Sequence, residues 1–141
     1  MKLIDTNILV YAFDVESEHH KKAKEVLKSA LQECEMVLSA QNLLEFYSVV
    51  TKKIPAPLSP DEAYAIINII LKTPEIMIIT ASRNCVKNAV KISKEKNLRG
   101  ARVFDAVISE TMKEYGIEII LTEDDKHFEA LGIYAKNPLV E

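Results

Sequence analysis

The feature that most constrains the fold is the alternation of short apolar runs with longer amphipathic segments. Two runs, IMIIT at 76–80 and IEIILT at 117–122, are continuous and rich in β-branched residues, which is typical of parallel strands covered on both faces. We expect the first of them to lie at the centre of the sheet. Segments such as 18–33 place apolar side chains at helical spacing. The alternation predicts an α/β fold, with helices packed against a central, mainly parallel sheet.

The same patterns predict the individual elements, and Gly116 and Gly132 follow two of the helices in the usual C-cap position. Strands are predicted at 2–4, 36–39, 76–80 and 117–122, and helices at 8–13, 18–33, 40–53, 61–72, 82–97, 103–115 and 123–131. No repeat, low-complexity run or long linker divides the chain. We therefore predict a single domain over residues 1–141.

Composition excludes several classes of protein. A net charge of −3 argues against a generally basic nucleic-acid coat protein, although it allows a local basic groove. The longest apolar region is interrupted before it reaches the roughly 20 residues that span a bilayer. Cys34 and Cys85 lack a CxxC spacing, which favours reduced thiols packed in the interior. These features predict a soluble cytoplasmic protein without a membrane segment.

Acidic and hydroxyl side chains follow the first and last predicted strands. Asp5 and Thr6 come directly after the first strand, while Thr122 ends the last strand and is followed by Asp124 and Asp125. Functional groups in an open parallel sheet gather beyond the carboxyl ends of its strands. We therefore expect these side chains to meet at one edge, although the sequence does not decide whether Asp124 or Asp125 is the functional acid.

Two further acids lie in apolar surroundings within predicted helices. Glu45 stands in NLLEFYSVV and Asp105 in VFDAVISE, and both can point toward the carboxyl edge of the sheet. Taken singly, each acid has an ordinary explanation: Asp5 can cap a helix, and the other two can be solvated or paired with lysine. The histidines are interpreted as surface residues; they are His19, His20 and His127.

Converging carboxylates repel one another and stay ionised together only when a cation compensates their charge. Oxygen ligands without cysteine or histidine favour hard cations, here Mg²⁺ or Mn²⁺. Such a site polarises phosphate and lowers the pKa of bound water. The chemistry indicated is phosphodiester hydrolysis.

The four acidic segments resemble, in order, the motifs of the PIN-domain family of metal-dependent nucleases, which includes the VapC-like toxins of toxin-antitoxin pairs. The matching segments are LIDTNILVYAF, SAQNLLEFYSVVTKK, VFDAVISE and LTEDDKHF, and they extend across nearly the full chain. The resemblance implies a three-layer α/β/α sandwich, endonucleolytic cleavage of RNA, an antitoxin partner and a homodimer.

Carried over residue by residue, the resemblance implies a catalytic set of Asp5, Glu45, Asp105 and Asp124. Asp5, Asp105 and Asp124 would bind Mg²⁺ or Mn²⁺. Side chains that orient these acids by hydrogen bonds would be Thr6, Asn7 and Thr122.

An acidic pocket needs nearby cations to hold a phosphate backbone. Arg102, just before the helix of Asp105, is the best-placed candidate, and the others are Arg99, Arg83 and Lys87. Together with Lys91 and Lys94, Arg83 and Lys87 form a basic stripe on one helix face. Such a stripe is also expected on an ordinary solvated helix face.

Two alternative functions stay open on the sequence, and the sequence argues against a third. A degenerate PIN-like module that binds RNA or protein without cleavage and a solitary RNA-processing nuclease are alternatives. A phosphorylated receiver-type domain requires an aspartate after the central strand, but IMIIT is followed by Ala81 and Ser82.

Overall fold

Strands and helices alternate along the chain in the computed structural model, which describes residues 1–140. The strands are β1 (Lys2–Ile4), β2 (Met36–Ser39), β3 (Met77–Ile79), β4 (Ile119–Leu121) and β5 (Tyr134–Lys136). The helices are α1 (Thr6–Tyr11), α2 (His20–Gln32), α3 (Ala40–Val50), α4 (Pro60–Leu71), α5 (Arg83–Lys96), α6 (Arg102–Tyr115) and α7 (Asp125–Glu129). No helix in this part of the chain is long and apolar enough to cross a membrane.

The five strands form one parallel sheet in the order β3-β2-β1-β4-β5. The central strand is β1, so the prediction that the 76–80 run lies at the centre is wrong. Met77 and Ile78 in β3 are only half-buried, because this strand has a neighbour on one side alone. Strand β5 was not predicted, because its three residues, YAK, do not form an apolar run. Tyr134 and Lys136 are exposed at this edge of the sheet.

Successive side chains of the inner strands point to opposite faces of the sheet, as strand geometry requires. Leu3 packs on one face with α6 and α7, and Ile4 packs on the other with α1 to α4. Both side chains are fully buried. The result is the predicted three-layer α/β/α sandwich.

Helix α5 packs mainly against α6 rather than against the sheet, through small residues such as Ala89 and Ala106. Val86 and Val90 are exposed, although helical spacing places them on the same side of the helix as Ala89. Cys85 is buried as expected, but Cys34 is exposed in the turn after α2. Both thiols are free.

The order of the strands determines where a site can form. From β1 the chain moves to β2 and β3 on one side and then crosses to β4 on the other. The carboxyl ends of β2, β1 and β4 are therefore adjacent at a switch in strand order, which is where open α/β sheets bind ligands.

Candidate active site

Asp5 is both a helix cap and a member of the candidate site. It follows β1 with an extended backbone (φ −72°, ψ 158°) and is the N-cap of α1. Its Oδ1 accepts the Thr6 backbone N–H at 2.8 Å, and its Oδ2 accepts the Thr122 hydroxyl at 2.7 Å. With 7% of its surface exposed, Asp5 is a buried carboxylate held in one orientation.

Asn7 joins the end of β1 to the segment after β4. Its Nδ2 donates to Asp124 Oδ2 at 3.2 Å and makes a longer contact with Thr122 Oγ1 at 3.4 Å. Its Oδ1 accepts the Glu123 backbone N–H at 3.2 Å, and the Asp124 N–H donates to Thr122 Oγ1 at 2.9 Å. Thr6, Asn7 and Thr122, the three residues expected to orient the acids, all lie within this hydrogen-bond network.

Asn42 extends the network to α3, although the sequence analysis did not single it out. Its Oδ1 accepts the Ser39 N–H, and its own N–H donates to Ser39 Oγ, both at 3.0 Å. Its Nδ2 donates to Thr6 Oγ1 at 2.9 Å. The signal was available in SAQN, because serine followed three residues later by a side-chain acceptor is the pattern of a capping box.

The four predicted acids line one cavity of about 500 Å³ at this edge of the sheet. Asp5 and Asp124 come from the strand ends, whereas α3 contributes Glu45 and α6 contributes Asp105. Asp125 is not among the residues that line the cavity in the described chain. The geometry therefore favours Asp124 of the two adjacent aspartates.

The predicted RNA-binding residues separate into two groups. Arg102 lines the cavity, and it is the first residue of α6 rather than part of the preceding loop. Arg83, Lys87 and Arg99 are exposed and do not line the cavity in residues 1–140.

Several cavity residues were not predicted as part of the site. Asp14 is buried, and Tyr11 donates its hydroxyl to Glu123 at 2.7 Å. Lys53 supplies a second cation. His127, interpreted from sequence as a plain surface residue, also lines the cavity. Tyr11, Lys53 and His127 lie inside the matched segments, but only the tertiary structure shows that they line the cavity with the acids.

Two carboxyl groups in the cavity have strongly raised pKa values. Burial raises the pKa of Asp5 to about 6, against the lowering effect of its hydrogen bonds with Thr122 and Thr6. Burial also raises the pKa of Asp105 to about 7, and the negative charges of Asp5, Asp124 and Glu45 add to this increase. The cavity therefore favours a compensating positive charge.

This donor set suits a hard divalent cation. Within residues 1–140, no three acid, histidine or cysteine side chains are close enough to form a complete metal-binding group by themselves. Mg²⁺ commonly keeps several waters and uses only one or two carboxylates together with substrate phosphate oxygens. An open carboxylate cavity with raised pKa values fits that mode of binding.

The PIN domain family model matches residues 2–133, which include all four acidic segments. The chain belongs to the PIN domain family. No curated protein matches the sequence closely enough to count as a relative.

Solved structures share the PIN fold across almost the whole chain. VapC20 from Mycobacterium tuberculosis, described as a sarcin-ricin-loop-cleaving toxin, has a TM-score of 0.76 at 16% identity, with 94% of this chain and 96% of that chain covered. FitAcB from Neisseria gonorrhoeae has a TM-score of 0.68 at 19% identity, with 98% of each chain covered. VapBC2 from Rickettsia felis, bound to a promoter DNA fragment, has a TM-score of 0.68 at 19% identity, with 96% and 97% covered. At these identities the similarity establishes the fold.

Proposed function

We propose that this PIN domain is a divalent-metal-dependent endoribonuclease that acts as the toxin of a toxin-antitoxin pair. The observation that carries the proposal is the single cavity lined by Asp5, Glu45, Asp105 and Asp124, which come from four separate segments of the chain. Carboxylates gathered in this way are suited to metal-assisted hydrolysis of a phosphodiester.

The residues that line the cavity would have separate roles in such a reaction. Asp5, Asp105 and Asp124 would hold Mg²⁺ or Mn²⁺, one or two of them directly and the rest through bound water. Glu45 faces the same cavity, with Oε1 accepting a hydrogen bond from the Gln41 side chain at 2.8 Å. A bound divalent ion polarises phosphate and lowers the pKa of water. Thr122 keeps Asp5 oriented through its 2.7 Å hydrogen bond.

Glu45 is the proposed general base, whose carboxylate would accept a proton from the attacking water. No shared hydrogen bond ties it to Asp5 or Asp124 among the described residues, so its carboxylate is not committed to the network that orients the other acids. Arg102, on the same cavity, supplies a positive charge for a phosphate oxygen, as a carboxylate-lined nuclease site requires.

The toxin role and its partner come from the structural neighbours. VapC20 is described as a toxin, and a further neighbour, from Klebsiella pneumoniae, is a toxin-antitoxin complex with a TM-score of 0.66 at 20% identity. We therefore propose an antitoxin protein as the partner of this chain. A homodimer and a cytoplasmic location stay predictions from the family resemblance and the composition.

Metal-dependent cleavage of RNA tests the proposed function. Purified wild-type protein should cleave a mixed RNA substrate with Mn²⁺ and lose this activity with EDTA. Asp5→Asn and Asp105→Asn should each lower the rate at least about 100-fold, because electrostatic groups at the reacting centre commonly contribute that much.

Asp61→Asn, at an exposed position in α4, provides a matched control that should cleave like the wild type. Circular dichroism would establish that each variant is folded. Cleavage that persists in both folded active-site variants would contradict the proposal and favour a contaminating nuclease or a binding module.

A further inference from the structure

The side chains of Arg102 and His127 contact each other at the rim of the acidic cavity. Arg102 Nη2 lies 2.8 Å from His127 Nε2. A guanidinium group has donors and no acceptor, so Nε2 must accept this hydrogen bond. The neutral imidazole then carries its proton on Nδ1, which lies 3.8 Å from Asp105 Oδ2.

Arg102 makes this contact although a carboxylate lies about one turn away on the same helix. Arg102 and Asp105 are three residues apart on α6, a spacing at which opposite charges on a helix commonly pair. In residues 1–140, however, the Arg102 guanidinium forms a side-chain hydrogen bond with His127 and no ion pair with Asp105. Arg102 is therefore bonded to His127 rather than to the acid.

The Arg102–His127 pair also lies between two cavities. Both residues line the large acidic cavity and a smaller one of about 120 Å³ whose lining includes Lys96 and Lys126. Asp105 is common to both linings. A phosphate group bound on the lysine side would therefore lie beside the Arg102 guanidinium.

We propose that His127 is a positioning residue: by accepting a hydrogen bond it holds Arg102 at the rim, where the guanidinium binds an RNA phosphate and leaves the carboxylates free for the metal. This inference rests on the proposed nuclease function. Without His127, the Arg102 side chain is free to fold onto Asp105, where it competes with the divalent cation.

Binding of Mn²⁺ alone, measured by titration calorimetry on the full chain without RNA, tests the role of His127. His127→Ala should weaken Mn²⁺ binding about fivefold, the equivalent of one partly exposed ion pair that must be broken. The double variant Arg102→Ala/His127→Ala should bind Mn²⁺ at least as tightly as the wild type, because the competing cation is gone. A residue that merely supported the structure would not show this reversal.

Conservative variants sharpen the test. His127→Gln retains a side-chain acceptor for Arg102 and should restore most of the Mn²⁺ affinity, whereas His127→Leu should behave like His127→Ala. Glu129→Ala, at an exposed position on the same helix, is the control and should leave Mn²⁺ binding unchanged. Thermal melting would show that all variants are folded.

Two sets of results separate the failure of this inference from the failure of the proposed function. If Asp5→Asn abolishes Mn²⁺ binding but His127→Ala, His127→Leu and His127→Gln all bind like the wild type, the positioning role is overturned and the metal site stands. The same holds if loss of Arg102 does not restore affinity in the double variant. If the wild type itself does not bind Mn²⁺, both the nuclease proposal and this inference are overturned.

Discussion

Asp5 and Asp105 are carboxyl groups that the fold keeps in unfavourable surroundings for a negative charge. Asp5 is compensated by hydrogen bonds from the Thr6 N–H and the Thr122 hydroxyl. Asp105 Oδ2 lies 3.8 Å from His127 Nδ1. The negative charges of three other acids in the cavity also act on Asp105. These surroundings disfavour the charged form of both carboxyl groups, and carboxyl groups perturbed in this way are common at functional sites.

The raised pKa of Asp105 predicts a specific dependence of stability on pH in the metal-free protein. The folded-state pKa of about 7 is above the unfolded value of about 3.9, so the folded chain binds more protons between these values. Its contribution to stability is fully present below the unfolded pKa and is lost as the pH rises through about 7. Asp105→Asn should therefore gain stability relative to the wild type over this interval, on the order of 2 kcal/mol.

Urea unfolding of both proteins in EDTA, at several pH values from 4 to about 8, measures this effect. The advantage of the variant should grow with pH and then level off above the folded-state pKa. Asp61→Asn should show no such growth, since Asp61 is exposed and outside the cavity. A constant difference between Asp105→Asn and the wild type at every pH would refute the prediction.

At the scale of the elements, the site depends on how α1 and α3 begin. Each helix starts directly after an inner strand, and each has a side-chain cap, from Asp5 for α1 and from Ser39 for α3. Asn42 connects the two starts through its 2.9 Å hydrogen bond to Thr6. The same capping interactions that begin the helices therefore align the acids at the carboxyl edge.

Asn42→Ala should destabilise the protein by about 1–3 kcal/mol, because it leaves the buried Ser39 N–H and Thr6 hydroxyl without their partner. Asn42 itself is fully buried, so water cannot replace the lost side chain without rearrangement. Chemical denaturation would measure the change. Asn84→Ala, at an exposed position in α5, is the matched control and should change stability by no more than about 0.5 kcal/mol.

Asn42→Ala that unfolds at the same denaturant concentration as the wild type would show that the connection between α1 and α3 contributes little. In that case the cap at Ser39 alone would account for the beginning of α3.

At the scale of the whole molecule, the cavity joins segments that are far apart in the chain. Its acids run from Asp5 to Asp124 and come from both helical layers and from the ends of inner strands. A cation bound to them would stabilise the complete folded arrangement rather than one element. Metal binding and global stability should therefore be linked.

Mn²⁺ at about 100 times its dissociation constant should raise the free energy of unfolding by about 2.7 kcal/mol. Asp124→Asn should remove most of this stabilisation, whereas Asp125→Asn should retain it, because Asp124 lines the cavity and Asp125 does not. Thermal melting with and without Mn²⁺ measures the difference. Equal losses in the two variants would mean that the adjacent aspartates both contribute to binding.

The sequence by itself determined the α/β class and most of the elements, and it predicted the four acids that line the cavity. Each of these depends on local patterns: apolar periodicity, capping residues and charges in apolar surroundings. Residues that form the site through long-range contacts were beyond such patterns. His127 looked like an ordinary surface histidine until the fold placed it 2.8 Å from Arg102.

Only the tertiary structure decided the order of the strands and hence the edge positions of β3 and β5. A run such as IMIIT is apolar enough for either a central or an edge strand. Helices that cover the faces of a sheet bury apolar side chains in both positions, so an apolar pattern does not reveal how many neighbouring strands a strand has. The position of Asp124 in the cavity and of Asp125 outside it was likewise decided by the start of α7. Two adjacent aspartates look the same in the sequence. The backbone conformation of the folded chain determines the direction in which each side chain points.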